Sequence, residues 1–339
     1  MSKDIINAEN LCKVFQVPTK EQQGFWHSVK SIFYRKWTAV SALQDVSFTV
    51  EEGEFIGYVG PNGAGKSTTI KIMTGIINPS SGNIRVLGFD PHQQRYEYTY
   101  NIGVVFGQRR LLQYDIPVID SFNLYRDIYE LDDEQYQERL AYFTKILKLD
   151  RYLHIPTRKL SLGERMRCEI AASLLHKPKV LFLDEPTIGL DAIAKQEIRT
   201  FLKDINQRDK TTIILTTHDM DDIEELCKRI IIIDLGKKIY DGNLEQLKQE
   251  VTSYKTIEVE FTSVKNKIRL EKLLEHRENK VLVKKNNLLR IRINQQEQSV
   301  PKVVSELFAC LEVIDLVVNE PRLEIIMKDI YELNQKTEN

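Results

Sequence analysis

The sequence predicts an α/β protein: a mixed, mostly parallel sheet with helices on its faces, followed by a small α+β domain. Three observations predict it. Apolar blocks at residues 180–183, 212–217 and 230–235 each follow a helical pattern, the order expected of parallel strands joined by crossover helices. A strand-like run, Phe55–Val59, ends in a glycine-rich turn that opens into a helical segment from Lys66 to about Thr74. Near residues 249–253 the pattern changes to shorter strands and helices in alternation.

Size and composition fit that class. A chain of 339 residues suggests two domains. Hydrophobic residues make up 42% and charged residues 29%, which excludes collagen-like and disordered classes. Lys plus Arg (48) nearly balance Asp plus Glu (49), so the expectation is no nucleic-acid partner. No run approaches the roughly 20 apolar residues of a membrane span, and the first ten residues are too polar for a secretory signal. Cys12, Cys168, Cys227 and Cys310 are scattered without a C-x-x-C pair, so buried thiols are expected rather than zinc or a disulfide framework.

Taken in order, residues 1–15 and 42–59 contain alternating stretches that read as strands. An insertion at about 16–40 separates them. Within it Phe25, Trp26, Val29, Ile32, Phe33 and Trp37 fall at helical spacing, with Lys30, Arg35 and Lys36 among them. Two readings stay open: an amphipathic helix against a membrane or membrane partner, or one packed on its own domain. Ile102–Phe106 reads as a strand, about 120–176 as helical throughout, and about 110–176 as a helical subdomain. The first domain is expected over 1–250 and the second over 251–339. The second reads as a strand at 256–261, a helix at 265–277, strands at 280–284 and 288–293, a helix at 299–311, and a closing strand, turn and helix. It contains no glycine-rich loop and no acid or histidine cluster.

The chemistry concentrates in the first domain. Gly60-Pro61-Asn62-Gly63-Ala64-Gly65-Lys66-Ser67 matches G-x-x-x-x-G-K-[ST] in full, after a strand and at a helix start, as the motif requires. The glycines let backbone N–H groups converge on phosphate oxygens, and the helix N-terminus adds partial positive charge. Lys66 is expected on the β- and γ-phosphates, Ser67 on Mg²⁺, and Thr68 in a further contact. The apolar run at 180–183 delivers Asp184 and Glu185 to the carboxyl end of a strand, where open α/β sheets bind ligands. Such a pair alone is more often a solvated turn. Beside a phosphate loop, Asp184 suits the metal shell and Glu185 the polarising of an attacking water. These residues describe a P-loop NTPase that binds a nucleoside triphosphate with Mg²⁺.

Further motifs add a family. Leu160-Ser161-Leu162-Gly163-Glu164-Arg165 lies between the two sites, Gln108 lies upstream, Gly189-Leu190-Asp191 follows Glu185, and His218 follows the next strand. The set resembles the ATP-binding cassettes of ABC transporters over about residues 5–245. On the residues alone, Ser161-x-x-Glu164 is a capping box opening a helix whose apolar positions are Met166, Ile170 and Leu174. The resemblance implies that Ser161 and Gly163 hold the γ-phosphate of ATP bound by a second ATP-binding subunit, a homodimer being expected. It implies that Gln108 links Mg²⁺ and water to a loop touching the membrane subunit. His218 would sense the γ-phosphate and orient Glu185, and Asp191 would communicate across the dimer. Leu162 and Glu164 stand where the family usually has Gly and Gln. The adenine-stacking aromatic, counted back from Ala42, is Trp37, with Phe15 as the alternative.

The same resemblance implies transmembrane permease subunits on separate chains, contacted through Arg109, Arg110, Tyr114 and Ile116, and a peripheral place on the cytoplasmic face of the cell membrane. The run from Gly103 to Arg109, the 160–167 motif, the early insertion and the C-terminal domain resemble the ABC-2 exporter branch, with daunorubicin- and viologen-type multidrug exporters nearest in appearance. Its rivals are an importer or polysaccharide-exporter ATPase, or an ABC ATPase acting on ribosomes or DNA.

Overall fold

In a computed structural model of the chain, the residues described are 4–18, 37–107, 109–251, 254–274, 280–285, 287–295, 297–319 and 323–337. They form two compact units, Met1–Gly242 and Asn243–Asn339. The division falls eight residues before the expected boundary at 250, so the helix Leu244–Val251 groups with the second unit.

The first unit runs β1 (Asp4–Pro18), β2 (Trp37–Glu51), β3 (Phe55–Val59), α1 (Lys66–Met73), β4 (Ser81–Val86), α2 (Arg95–Thr99) and β5 (Ile102–Phe106). It continues through α3 (Val118–Ile128), α4 (Asp133–Leu147), α5 (Leu162–Leu174), β6 (Val180–Asp184), α6 (Ala192–Asp209), β7 (Thr212–Thr216), α7 (Met220–Leu226), β8 (Arg229–Asp234) and β9 (Lys237–Asn243). Six strands form one sheet in the order β5-β6-β7-β3-β8-β9, and its β5/β6, β6/β7, β7/β3 and β3/β8 pairs are parallel. Burial on both faces explains the unbroken apolar runs: every residue of β3 and β7 is buried, as are the first four of β6. An antiparallel sheet, β2-β1-β4, lies beside it and alternates buried with exposed residues. Ile6, Leu11, Val46, Ile56, Tyr58, Ile70, Phe182 and Ile231 belong to one apolar cluster, so α1 and the phosphate loop before it rest on a shared core.

Two expectations change here. The stretch expected to be helical throughout 120–176 is three α-helices, with a short break at 129–132 and a longer one from 148 to 161 that holds two single 3-10 turns, Leu149–Arg151 and Thr157–Lys159. Lys148 stops α4 in the left-handed region at φ 54°, and Pro156 lies within the break. The insertion narrows as well. β1 continues to Pro18 and β2 begins at Trp37, with Pro18 paired to Trp37 and Phe15 to Val40. Residues 16–18 and 37–40 are therefore antiparallel ribbon, and cross-strand pairing overrides the helical spacing that included Trp37. Phe25, Trp26, Val29, Ile32 and Phe33 lie outside the described residues.

The second unit contains α8 (Leu244–Val251), β10 (Tyr254–Val264), α9 (Lys267–Leu274), β11 (Lys280–Lys285), β12 (Leu288–Asn294), α10 (Val300–Cys310), β13 (Leu311–Asn319) and α11 (Leu323–Thr337). Its antiparallel sheet has the order β11-β12-β10-β13. From β10 to β13 the succession is β-α-β-β-α-β, the split arrangement of ferredoxin-like domains. Ile257, Val259, Leu289, Ile291 and Ile293 project from the central strands onto Leu270, Val303 and Leu307, which gives this unit its own core.

Candidate nucleotide site

The site forms at the carboxyl ends of β3, β6 and β7, where the sheet opens into loops. The β3–α1 loop is held from below. At Gly65, φ is 108° and a Cβ would stand 2.6 Å from the Ala42 carbonyl, so only glycine fits. Asn62 and Gly63 are exposed at the crest, while Lys66 is 5% exposed beneath it. The Lys66 ammonium donates to the Gly60 carbonyl at 2.7 Å and the Pro61 carbonyl at 3.1 Å, bringing its charge back over the loop. Burial pulls its pKa below the usual lysine range, and the nearby Glu185 and Asp184 charges pull it back up. A loop of backbone N–H groups around a partly desolvated cation favours a polyanion.

The metal candidates converge. Ser67 Oγ donates to Asp184 Oδ1 at 3.3 Å, and Thr216 Oγ1 donates to the same oxygen at 2.5 Å. One carboxylate, one hydroxyl and the phosphates of a bound nucleotide suit Mg²⁺, which keeps several waters and takes few protein ligands. Ser67 and Asp184 would hold that ion, which would neutralise charge on the phosphates when bound. Gln108, the third expected ligand, lies outside the described residues. Gly107 just before it donates its N–H to the Asp184 carbonyl at 2.8 Å, and a Cβ there would stand 2.4 Å from the Glu185 carbonyl. The chain entering position 108 therefore passes directly against the two acids.

Glu185 turns away from Asp184. Its backbone adopts φ 58°, rare for a non-glycine residue, and its N–H is held by the Thr216 carbonyl at 2.9 Å. Glu185 Oε2 then meets His218 Nε2 at 2.9 Å. The carboxylate is 18% exposed and the imidazole 46%, so the pair faces solvent from the phosphate-loop end of the sheet. That geometry fits a carboxylate that polarises water beside an imidazole that orients it.

A second group forms apart from the phosphate loop. Ser161 caps α5 with the full capping box: its Oγ accepts the Glu164 N–H at 3.4 Å, and Glu164 Oε2 accepts the Ser161 N–H at 2.8 Å. Gly163 faces the next motif, where a Cβ would stand 3.2 Å from Ala194 Cβ and 3.8 Å from Leu190. Asp191 caps α6 by accepting the Ala194 N–H at 2.9 Å. Ser161, Gly163 and the Asp191 loop thus share one neighbourhood, and the exposed N-terminus of α5 carries the partial positive charge of a helix start.

Trp37 and Phe15 lie on the β1/β2 ribbon, 56% and 36% exposed. At about 3.4 Å per residue, Val40 opposite Phe15 is about 7 Å along β2 from Ala42, the residue against Gly65, whereas Trp37 is about 17 Å away. Sequence reasoning overlooked Gly107 and Thr216 as parts of the site. The dipeptide Gly107-Gln108 and the Thr216-Thr217-His218 run were visible, but nothing local says that they face Asp184.

A model of the ABC transporter family matches residues 43–188, from the phosphate loop through both acids and the 160–165 motif. The chain is 34% identical over 215 residues to the ABC transporter ATP-binding protein NatA of Bacillus subtilis, covering 63% of this chain and 87% of that one. The chain belongs to the ABC transporter ATP-binding family. It is also 34% identical over 226 residues to the methionine import ATP-binding protein MetN of Vibrio vulnificus, covering 65% of each chain. A solved structure titled as the ATP-binding subunit of an ABC transporter shares the fold with a TM-score of 0.60, at 23% identity, over 73% of this chain and 92% of that one. The fold is thus the ABC ATPase cassette, and the chain is an ATPase subunit that powers transport. No helix among the described residues is long and apolar enough to cross a membrane.

Proposed function

We propose that this ABC ATPase energises a separate ABC-2 type permease at the cytoplasmic face of the membrane and drives export, with a drug-like or other amphiphilic molecule as cargo. The observation that carries the hydrolytic reading is the Glu185–His218 pair at 2.9 Å beside a phosphate loop whose Ser67 reaches Asp184. Export is supported by the ABC-2-like motif wording, the early insertion and the added C-terminal unit. A relative named for methionine import matches at equal identity, so the direction rests on those features and not on the ATPase core.

In this reading two copies bind head to tail. Each phosphate loop, Gly60 to Thr68, holds an ATP whose γ-phosphate meets Ser161 and Gly163 of the other copy, while Asp191 carries the signal between them. Ser67, Asp184 and Gln108 would hold Mg²⁺, which would neutralise charge on the phosphates. Glu185 polarises the attacking water and His218 fixes the γ-phosphate. ATP closes the dimer and hydrolysis opens it, so the permease is shifted by differential affinity between two states. The exposed Tyr114 and Ile116, with Arg109 and Arg110, form the surface offered to it. An aromatic of the ribbon stacks on adenine, and the strand register favours Phe15 over Trp37.

Glu185→Gln is expected to trap an ATP-bound dimer with hydrolysis reduced by roughly 10²-fold or more, read by size-exclusion chromatography and phosphate release. Normal turnover would remove Glu185 from its role. Phe15→Ala is expected to raise the ATP Kd about tenfold, from about 1–3 kcal/mol of lost stacking, with Trp37→Ala near wild type in the same fluorescence titration. The reverse ranking would return the base to Trp37. ATP-dependent accumulation of a fluorescent amphiphile in inside-out vesicles carrying the chain and its permease tests export; accumulation only in right-side-out vesicles would make it an importer.

A further inference from the structure

Behind the Glu185–His218 pair lies a carboxylate that the motifs do not explain. Asp222, in α7, is fully buried. Its Oδ2 accepts two hydroxyl bonds, from Thr187 Oγ1 at 2.5 Å and from Thr217 Oγ1 at 3.2 Å. Its Oδ1 faces the Arg199 guanidinium, with Nε at 2.6 Å and Nη2 at 2.5 Å. Arg199 also reaches Asp219 at 3.5 Å and Glu225 at 3.3 Å, so the cation stands in an acidic setting that fixes its place.

The three partners belong to three functional segments. Thr187 lies two residues beyond Glu185, on the loop that continues to Asp191. Thr217 immediately precedes His218, and its hydroxyl also accepts the Asp219 N–H at 3.0 Å, closing the turn around the imidazole. Arg199 lies on α6, the helix capped by Asp191. Thr187 and Thr217 are each 3% exposed, so neither hydroxyl has solvent as an alternative partner.

We propose that Asp222 is a positioning residue for ATP hydrolysis: backed by Arg199, it ties Thr187 to Thr217 and so holds Glu185 and His218 at the separation their contact requires. The positive-φ backbone of Glu185 increases the need for such a tie, because a strained conformation persists only when its surroundings over-determine it. The same hub joins the Asp191-capped helix to the His218 turn, so a change at either segment is felt at the other. This inference rests on the roles given above to Glu185 and His218.

Removing one member of a buried ion pair is strongly destabilising, so the test works through the hydroxyls. The full chain would be compared as wild type, Thr187→Val, Thr187→Ser, Thr217→Val, Thr217→Ser and Glu185→Gln, for thermal stability and steady-state ATPase. Valine keeps the branched shape and loses the bond; serine keeps the bond and loses a methyl group. The expected result is a kcat lower by roughly tenfold or more in both valine variants, since small misplacements of reacting groups are costly, with the KM for ATP within about twofold of wild type. The serine variants are expected to retain wild-type kcat. Valine variants as active as wild type, or serine variants as impaired as valine, would overturn the proposal and leave Asp222 a packing residue. If Glu185→Gln is inactive while both valine variants turn over normally, only this inference fails; a fully active Glu185→Gln removes the catalytic reading and this inference with it.

Discussion

A carboxyl group inside the helix that follows Ser161 illustrates how burial sets chemistry at single positions. Glu169 on α5 is fully buried, and Arg165 Nε stands 3.4 Å from its Oε1. Burial pushes its pKa up to about 7, against the pull of Arg165, the Leu111 backbone N–H and Arg110. The sign follows directly. Folded Glu169 keeps its proton over a range in which the unfolded chain has lost it, so its contribution is fully present below the ordinary glutamate range. That contribution is lost as pH rises toward about 7. Glu169→Gln, which stays neutral, is expected to match wild type near pH 4 and to exceed it at pH 8 by about 1–3 kcal/mol. Urea melts at the two pH values would read the difference, and an equal ΔΔG at both would show that Glu169 does not titrate in this window. At the phosphate loop the governing residues are smaller: Gly65 and Gly107 are required because a carbonyl occupies the place of a side chain.

At the scale of the element, α5 shows a local sequence signal surviving into three dimensions. Ser161-x-x-Glu164 was legible as a capping box because both of its bonds are made within four residues, and the structure contains both. Ser161→Ala is expected to cost about 1 kcal/mol of stability, measured by denaturant unfolding of the full chain. In the dimer proposed above it would also weaken ATP-driven association. A loss of association with no loss of stability would assign Ser161 wholly to the ligand. The β1/β2 ribbon is the opposite case. Trp37 fits a helical period with Phe33 and Val29, yet its position is decided by pairing with Pro18, nineteen positions away. Periodicity over a few turns cannot see a partner strand, and where pairing is available it wins. The division of the 120–176 stretch into three helices has the same origin: Lys148 and Pro156 end and interrupt what apolar spacing alone would continue.

For the molecule as a whole, each of the two units has an apolar cluster of its own, and no sheet among the described residues is shared between them. A 1–242 fragment is therefore expected to keep ATP binding, and a 243–339 fragment to melt cooperatively by itself. Calorimetry of the full chain should resolve two transitions, of which ATP raises the one belonging to 1–242. A single transition that ATP shifts as one would mean that the units fold together. The sheet order also explains why one fold edge gathers the chemistry. β3, β6 and β7 are adjacent and parallel, so the phosphate loop, Asp184-Glu185 and the His218 turn all emerge at the same end.

The sequence by itself determined the α/β class, and it pointed to a second domain and to the parts of the candidate site whose chemistry needs neighbours in the chain: Gly60 to Thr68, the Asp184-Glu185 pair and the Ser161 cap. These are readable because a phosphate loop and a helix cap are local objects, built within a few residues of one another. Tertiary structure alone decided which acid meets Ser67, that Glu185 lies against His218, that Trp37 belongs to a ribbon, and that Thr187, Arg199, Thr217 and Asp222 form one buried hub. Those four residues are spread over 36 positions, and none is unusual where it stands. Their meaning lies in long-range bonds that only burial makes worth forming, since a buried carboxylate must find partners wherever the fold supplies them.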